Sequence, residues 1–325
     1  MTNEAAFIAS LRALATEPAA RGLMDDAAVL RIGGEAIVLT CDTIVESVHF
    51  LAADPPEDVA WKLVAVNLSD LAAKGARPIG VLLGYALGPD DWDAAFARGL
   101  GTVLGAFGLP LLGGDTVAMP QGAPRAFSLT ALGVAGPAVP ARDGARPGDL
   151  LWVSGTIGDA GAGLKLLQGG RSEPAGLIER YRNPRPRLEA GQRLAPLAAA
   201  MMDVSDGLLI DAARMAAASG CGVSVELDAL PLSAERLVFA GEGREARIDA
   251  ATAGDDYELL FASRPEDAAA LLELGEAVGL PFSRIGRFEE GRGLIATERG
   301  ERVPLPARLG FEHDGAGGPA LPPAP

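Results

Sequence analysis

The chain has 325 residues, length for one large domain or two ordinary ones, and 49% of them are hydrophobic, which excludes global disorder. A formal net charge of −15 argues against a nucleic-acid partner or an anionic membrane surface, because both need basic patches. Two cysteines, Cys41 and Cys221, lie far apart in no metal-ligand spacing and offer neither a disulfide framework nor a zinc site.

The chain opens on an amphipathic helical pattern with Phe7, Ile8, Leu11 and Leu14 on one face. It lacks the features of a signal peptide, and no apolar run is long enough to span a bilayer, so a cytoplasmic protein is expected. The runs 27–32 and 36–43 read as strands. Residues 58–74 read as a helix apolar nearly all round, hence buried, closed by Gly75 with Pro78 beyond. A strand at 79–87, an amphipathic helix over 90–107, a short strand ending at Gly113-Gly114 and a strand at 127–136 complete the first half. The stretch 136–149, rich in Pro, Gly and Arg, reads as a linker or exposed loop. Strands are then expected at 150–155, 201–205, 222–227, 257–262 and 282–288, with helices after Gly158, Pro186, Gly207 and Pro265. Both halves are mixed α/β or α+β. The Gly, Ala and Pro-rich tail, 314–325, is expected to be disordered.

Aspartates recur along this framework in short, small-residue contexts: MDDAA (Asp25, Asp26), TCDT (Asp42), NLSDLAAKGA (Asp70), LGGDT (Asp115), MDVSDG (Asp203, Asp206) and AGDDYE (Asp255, Asp256). Six unrelated turns and caps would account for any one of them. Together they point to a site assembled by folding. Carboxylates with few histidines near them favour Mg²⁺, a hard ion that takes oxygen ligands and is commonly shared with phosphates. On the helix 58–74, Asn67, Asp70 and Lys74 form one polar stripe. Two readings stay open there: an intrahelical Asp70–Lys74 pair, or metal ligation by Asp70.

Several site types are absent. There is no GxxxxGK[ST] loop and no kinase-type lysine with its catalytic-loop set. Only His49 and His313 occur, too few for a histidine-rich metal centre. The glycine-rich GTIGDAGAGLKL (155–166) reads equally as a phosphate-binding helix start or as a tight turn. Ser69-Asp70 and Ser205-Asp206 form a faint internal echo.

In order, DDAAVL, TCDTIVESVHF, AVNLSDLAAKGARP, LGGDT, VSGTIGDAGAGL, DVSDGLLIDA, AGDDYELLF and GFEH resemble the thiamine-monophosphate kinase family, within the ATP-binding superfamily of aminoimidazole ribonucleotide synthetase. The resemblance covers about residues 22–313. It implies a two-domain α/β (α+β) fold. Residues 1–138 would form an ATP- and Mg²⁺-binding domain that makes a β-barrel with a second subunit, and 139–313 a C-terminal α/β sandwich. It also implies a homodimer, several Mg²⁺ ions, ATP as co-substrate and thiamine monophosphate as acceptor. By motif position Asp26, Thr40, Cys41, Asp42, Asp70, Asp115, Asp203 and Asp206 would serve the metals. Gly114, Asp115, Arg142 and Ser205 would contact ATP; His49, Asp255 and Phe311 would contact thiamine monophosphate.

Three residues depart from the family pattern: Met24 replaces a glycine, Cys41 a threonine and Asp255 a glutamate. A phosphate acceptor is already largely ionised near neutral pH, since its second pKa is about 6, so no catalytic base is expected. Two other readings are another ATP-using member of the superfamily, or a non-catalytic nucleotide- or Mg²⁺-binding regulatory protein.

Overall fold

The apolar runs of the first half pair into one sheet around a buried helix, and those of the second half into another. Residues 4–313 are described by the structure, a computed structural model, and the tail 314–325 lies outside them. The first half contains α1 (Glu4–Leu11), β1 (Ala28–Ile32), β2 (Glu35–Val45), α2 (Pro56–Ala73), β3 (Ala76–Leu87), α3 (Asp90–Phe107), β4 (Leu111–Ala118) and β5 (Ala126–Ala135). Its sheet runs β1-β2-β5-β3-β4. Gly33 and Gly34, at φ 60° and 91°, make the two-residue turn of the β1–β2 hairpin, where only a left-handed pair matches the strand twist. β3 and β4 pair in parallel, joined by α3.

α2 explains itself from sequence. Pro56 tolerates the first helical turn, and Glu57 and Asp58 suit the positive end of the dipole. Leu63, Val64, Leu68 and Leu71 are fully buried and pack with Val38, Val81, Phe127 and Leu129. Its start at Pro56 lies two residues ahead of the expected one.

The second half contains β6 (Leu150–Ser154), α4 (Asp159–Gln168), α5 (Ala175–Arg182), α6 (Leu188–Leu194), β7 (Ala200–Asp203), α7 (Leu208–Ser219), β8 (Gly222–Glu226), α8 (Ala234–Ala240), α9 (Arg244–Thr252), β9 (Leu259–Ser263), α10 (Ala268–Ala277), β10 (Phe282–Glu289), β11 (Gly293–Glu298) and β12 (Glu301–Val303). Its sheet runs β12-β11-β8-β10-β6-β9-β7. One face packs on α7 through Met202, Leu208, Leu209 and Met215; Trp152, Phe261 and Phe282 form a separate core cluster with α6 and α10 residues. The halves meet where α2 packs on α6. A Cβ on Gly191 would fall 2.0 Å from the Ala72 carbonyl oxygen, so only glycine allows that approach.

One expectation, a barrel shared with a second subunit, is not tested by a single chain, and three others need correction. The first sheet is open within one chain: its edges are β1 and β4, and β4 is exposed along its whole length. A closed barrel is therefore not made by the described residues alone. β4 continues past Gly113-Gly114 to Ala118 because parallel pairing with β3 carries it on. The apolar face expected at the N-terminus is not buried, with Phe7 and Leu14 both exposed and Leu14 beyond the helix end. The helices α5, α8 and α9 and the strands β11 and β12 were not expected from the sequence.

Candidate active site

Asp70 on α2, Asp26 in the loop before β1 and Asp203 at the end of β7 each offer a carboxylate oxygen, and these oxygens lie within 4.8 Å of one another. Three different elements thus deliver three carboxylates to one point. The neighbours of α2 hold them there. Ser69 Oγ donates to Asp203 Oδ2 at 2.5 Å, and Thr40 on β2 donates its hydroxyl to Asp70. Asn67 Oδ1 accepts the Asp42 amide at 3.1 Å while its Nδ2 donates to the Leu63 carbonyl at 2.9 Å.

The expected alternative for Asp70, a pair with Lys74, does not form. Lys74 is fully buried and reaches instead to Asp25, to Asp26 Oδ2 at 2.7 Å and to the Met201 carbonyl at 3.0 Å. Lys74 is the C-cap of α2, at φ −106° and ψ 8°, so it has left the helical conformation that would align it with Asp70. Arg142, from the stretch 136–149, donates to Asp26 as well. That stretch is a loop, yet it reaches the carboxylate cluster.

Charge at the cluster is only partly balanced. Burial and the negative charges of Asp42, Asp203 and Asp26 push the Asp70 carboxyl well above its ordinary range. Burial, with Asp26 as the main charged neighbour, does the same to Asp203. Burial raises Asp42 to about 6, against a lowering hydrogen bond to Asp70. Asp26 goes the other way: burial would raise it, but Arg142 and Lys74 outweigh that and hold it low. Buried, all-oxygen and mutually repelling, this donor set fits a hard divalent cation.

Two cavities meet here. One, of about 690 Å³, runs from Asp42, Asp70 and Asp203 to His49, Asp255 and Phe311. The other, of about 640 Å³, holds Met24, Arg142 and Arg214. Both are bounded by Asp206 and His313. The loop bearing Ser205 and Asp206 is fixed by buried Asp211, whose Oδ2 accepts both backbone amides, at 3.2 and 3.1 Å. Arg214 pairs with Asp206 and Asp211.

At the far end of the first cavity, His49 Nδ1 accepts the Val45 amide at 3.0 Å, and burial lowers its pKa to about 4. The His49 ring lies 5.4 Å from that of His313, which in turn meets Phe311 edge-on at 4.9 Å. His313 comes here from the C-terminal segment, which folds back over the cavity. The Phe311 amide donates to the Asp206 carbonyl at 2.8 Å.

Fourteen residues are expected at the site. The structure gathers Asp26, Thr40, Asp42, Asp70, Arg142, Asp203, Ser205, Asp206, His49, Asp255 and Phe311 around these two cavities. Cys41 borders the first cavity but is exposed, while Thr40 beside it is buried, as strand alternation requires. Gly114 and Asp115 are elsewhere in the chain, on exposed β4. A Cβ at Gly114 would fall 1.9 Å from the Leu83 carbonyl oxygen, which gives that glycine a packing reason of its own. The glycine-rich turn at 155–166 is a tight turn: the Gly158 amide is taken by Asp256 at 2.9 and 2.8 Å. Sequence reasoning gives no site role to Lys62, Ser69, Asp211 or Tyr257, although Ser69 stands in the Ser-Asp echo. Asp211 had a signal, five residues after Asp206 and one turn inside a helix.

Residues 24–135 match the family described as AIR synthase related protein, N-terminal domain, and residues 146–298 its C-terminal domain. The thiamine-monophosphate kinase of Caulobacter vibrioides is 44% identical over 308 residues, which cover 91% of this chain and 86% of that protein. The chain belongs to the thiamine-monophosphate kinase family. Solved structures agree. One described as AaThiL complexed with AMPPCP and TMP is 31% identical with a TM-score of 0.82, covering 96% of this chain and 97% of that one. The thiamine-monophosphate kinase of Stenotrophomonas maltophilia K279a is 38% identical with a TM-score of 0.76, covering 92% and 96%. Among the described residues, no helix is long and apolar enough to cross a membrane.

Proposed function

We propose that this chain phosphorylates thiamine monophosphate to thiamine diphosphate with ATP, by direct in-line transfer. The observation that carries this reading is the carboxylate cluster on the wall of one cavity, beside a second cavity that shares Asp206 and His313 with it, in a chain whose relatives are thiamine-monophosphate kinases. Asp26, Asp42, Asp70, Asp203 and Asp206 would hold Mg²⁺, helped by Thr40 and by the carbonyl of Cys41. Bound there, Mg²⁺ would neutralise the carboxylates and the phosphate oxygens they face.

The chain's own residues do the rest. Arg142, already charged and paired with Asp26, supplies a guanidinium to ATP oxygens, and Ser205 contacts ATP from a loop that Asp211 holds rigid. His49, Asp255 and Phe311 orient thiamine monophosphate so that its phosphate faces the nucleotide across Asp206. The acceptor oxygen arrives ionised, so no side chain has to remove a proton, and alignment with charge stabilisation supplies the rate.

Gly114 and Asp115 belong to this reading through a second copy of the chain. An exposed edge strand bearing Leu111, Leu112 and Val117 is suited to association, and homodimerisation at the β4 side would bring these residues toward a nucleotide. The domain boundary is placed at 138/139, and a cytoplasmic location accompanies the reading.

A coupled ADP-release assay with thiamine monophosphate, beside an ATP-only control, tests it. ADP and thiamine diphosphate should appear together, and only with Mg²⁺ present. Turnover in excess chelator, or turnover with aminoimidazole precursors and none with thiamine monophosphate, would overturn it.

A further inference from the structure

Lys62 is 2% exposed, and its ammonium lies just behind the wall of the first cavity. Nζ donates to the His49 carbonyl at 2.8 Å and to Asp255 Oδ2 at 2.7 Å, and it sits 4.1 Å from the centre of the Tyr181 ring. A buried ammonium is costly unless it is paired, and here its partners belong to the two residues assigned to thiamine monophosphate. One cation therefore ties together two segments far apart in sequence, the turn after β2 and the turn before β9.

The second turn needs such a tie. Asp255 and Tyr257 adopt left-handed backbone conformations, φ 68° and 50°, and for a bulky tyrosine that is an uncommon state held only by its surroundings. The backbone is fixed by Asp255 N donating to the Ser205 carbonyl and Tyr257 N to the Val204 carbonyl, both at 2.8 Å. The carboxylate is fixed separately: Oδ1 accepts from Tyr257 Oη at 3.1 Å and Oδ2 from Lys62. Without Lys62, one oxygen of Asp255 and the His49 carbonyl lose their common donor. Asp255 is also shorter by one methylene than the family's glutamate, so a fixed rotamer matters more.

We infer that Lys62 is a positioning residue for the thiamine-monophosphate end of the site, pinning His49 and Asp255 together without touching the substrate. The inference rests on the functional reading above.

Steady-state kinetics on the full-length protein, with each substrate varied separately, tests it in Lys62→Met, Lys62→Arg, Asp255→Asn and the double variant Lys62→Met/Asp255→Asn. Lys62→Met should raise KM for thiamine monophosphate about tenfold and leave KM for ATP within about twofold, because only one substrate's contacts loosen. Lys62→Arg, which keeps the charge, should restore part of the loss. The double variant should raise KM for thiamine monophosphate by clearly less than the product of the two single effects, since both remove the Lys62–Asp255 contact and only the His49 contact is lost in addition. An unchanged KM for thiamine monophosphate, a matched rise for both substrates, or multiplying effects in the double variant would overturn the inference.

If Lys62→Met fails to fold, Lys62→Arg decides. A threefold or larger rise confined to thiamine monophosphate, roughly the loss of one hydrogen bond, supports it, and an unchanged value overturns it. A parent protein that turns over no thiamine monophosphate is a different result, which removes the functional reading and this inference with it.

Discussion

At Asp70 the chain places a carboxylate where neighbouring charges oppose its ionisation. Its folded-state pKa is raised, so ionising it at neutral pH and above costs the folded protein stability in the absence of cations. Asp70→Asn should therefore melt higher than the parent in chelator near pH 8, by about 2–4 °C for a relief of about 1 kcal/mol. The same change should cut turnover by about a hundredfold or more. Thermal melts with and without Mg²⁺ check the first, in which the variant should also lose most of the cation-induced shift, and the coupled ADP-release assay checks the second. His49 has the opposite sign. Its pKa falls from 6.5 to about 4, because burial disfavours the charged ring. Its contribution is present above 6.5 and is lost as pH falls toward 4, since the unfolded chain takes up the proton first. Against His49→Gln, the parent's melting temperature should drop progressively over that window. A constant difference would show that His49 is not held neutral. At this scale the sequence announced the carboxylates but not their supporters. Ser69 and Lys62 touch partners more than 130 and 190 positions away, 134 and 193 residues respectively, and no local pattern encodes such contacts.

Among the elements, the packing of α6 on α2 is the tightest junction between the halves. Gly191 has the Ala72 carbonyl oxygen 2.0 Å from where a Cβ would stand, and backbone cannot yield as a side-chain tip can. Gly191→Ala should cost about 1–3 kcal/mol, in the range of overpacked cores. Chemical denaturation would register it as a lower midpoint at unchanged slope. What was legible among the elements follows from the strength of local signals. α3 matches its expected bounds, 90–107, since Asp90, Asp91 and Asp93 mark its first turn and left-handed Gly108 its end. α5, α8 and α9 are only 8, 7 and 9 residues long, and β12 has three. Such short pieces form because neighbours bury them, as Tyr181 of α5 and Arg236 of α8 show. Two glycines interrupt the apolar pattern of β4, so the sequence predicts a strand that ends there, whereas register with β3 ignores that interruption.

For the whole molecule, the open first sheet sets the expectation. Light scattering at micromolar concentration should give twice the 33.2 kDa chain mass. Charged substitutions at Leu112 and Val117, both exposed on β4, should shift that mass toward one chain. A fully active monomer would contradict association through this edge. The two-half organisation was legible because apolar runs and turn residues alternate throughout. The order of strands in each sheet was not, as neither β5 between β2 and β3 nor β8 between β11 and β10 follows chain order.

α2 carries Lys62, Asn67, Ser69 and Asp70 on one continuous run of backbone hydrogen bonds. From Lys62 to Asp70 the axis rises roughly 12 Å, at 1.5 Å per residue. On the proposed reading the helix is a ruler laid between the end assigned to the acceptor's ring and the end assigned to phosphate transfer. Its graduations cannot slide, because inserting one residue would turn everything beyond it by about 100°. An acceptor lengthened by a single methylene would still seat its ring yet overshoot by about an ångström. Misplacement of that size costs about a hundredfold in kcat, with KM little altered.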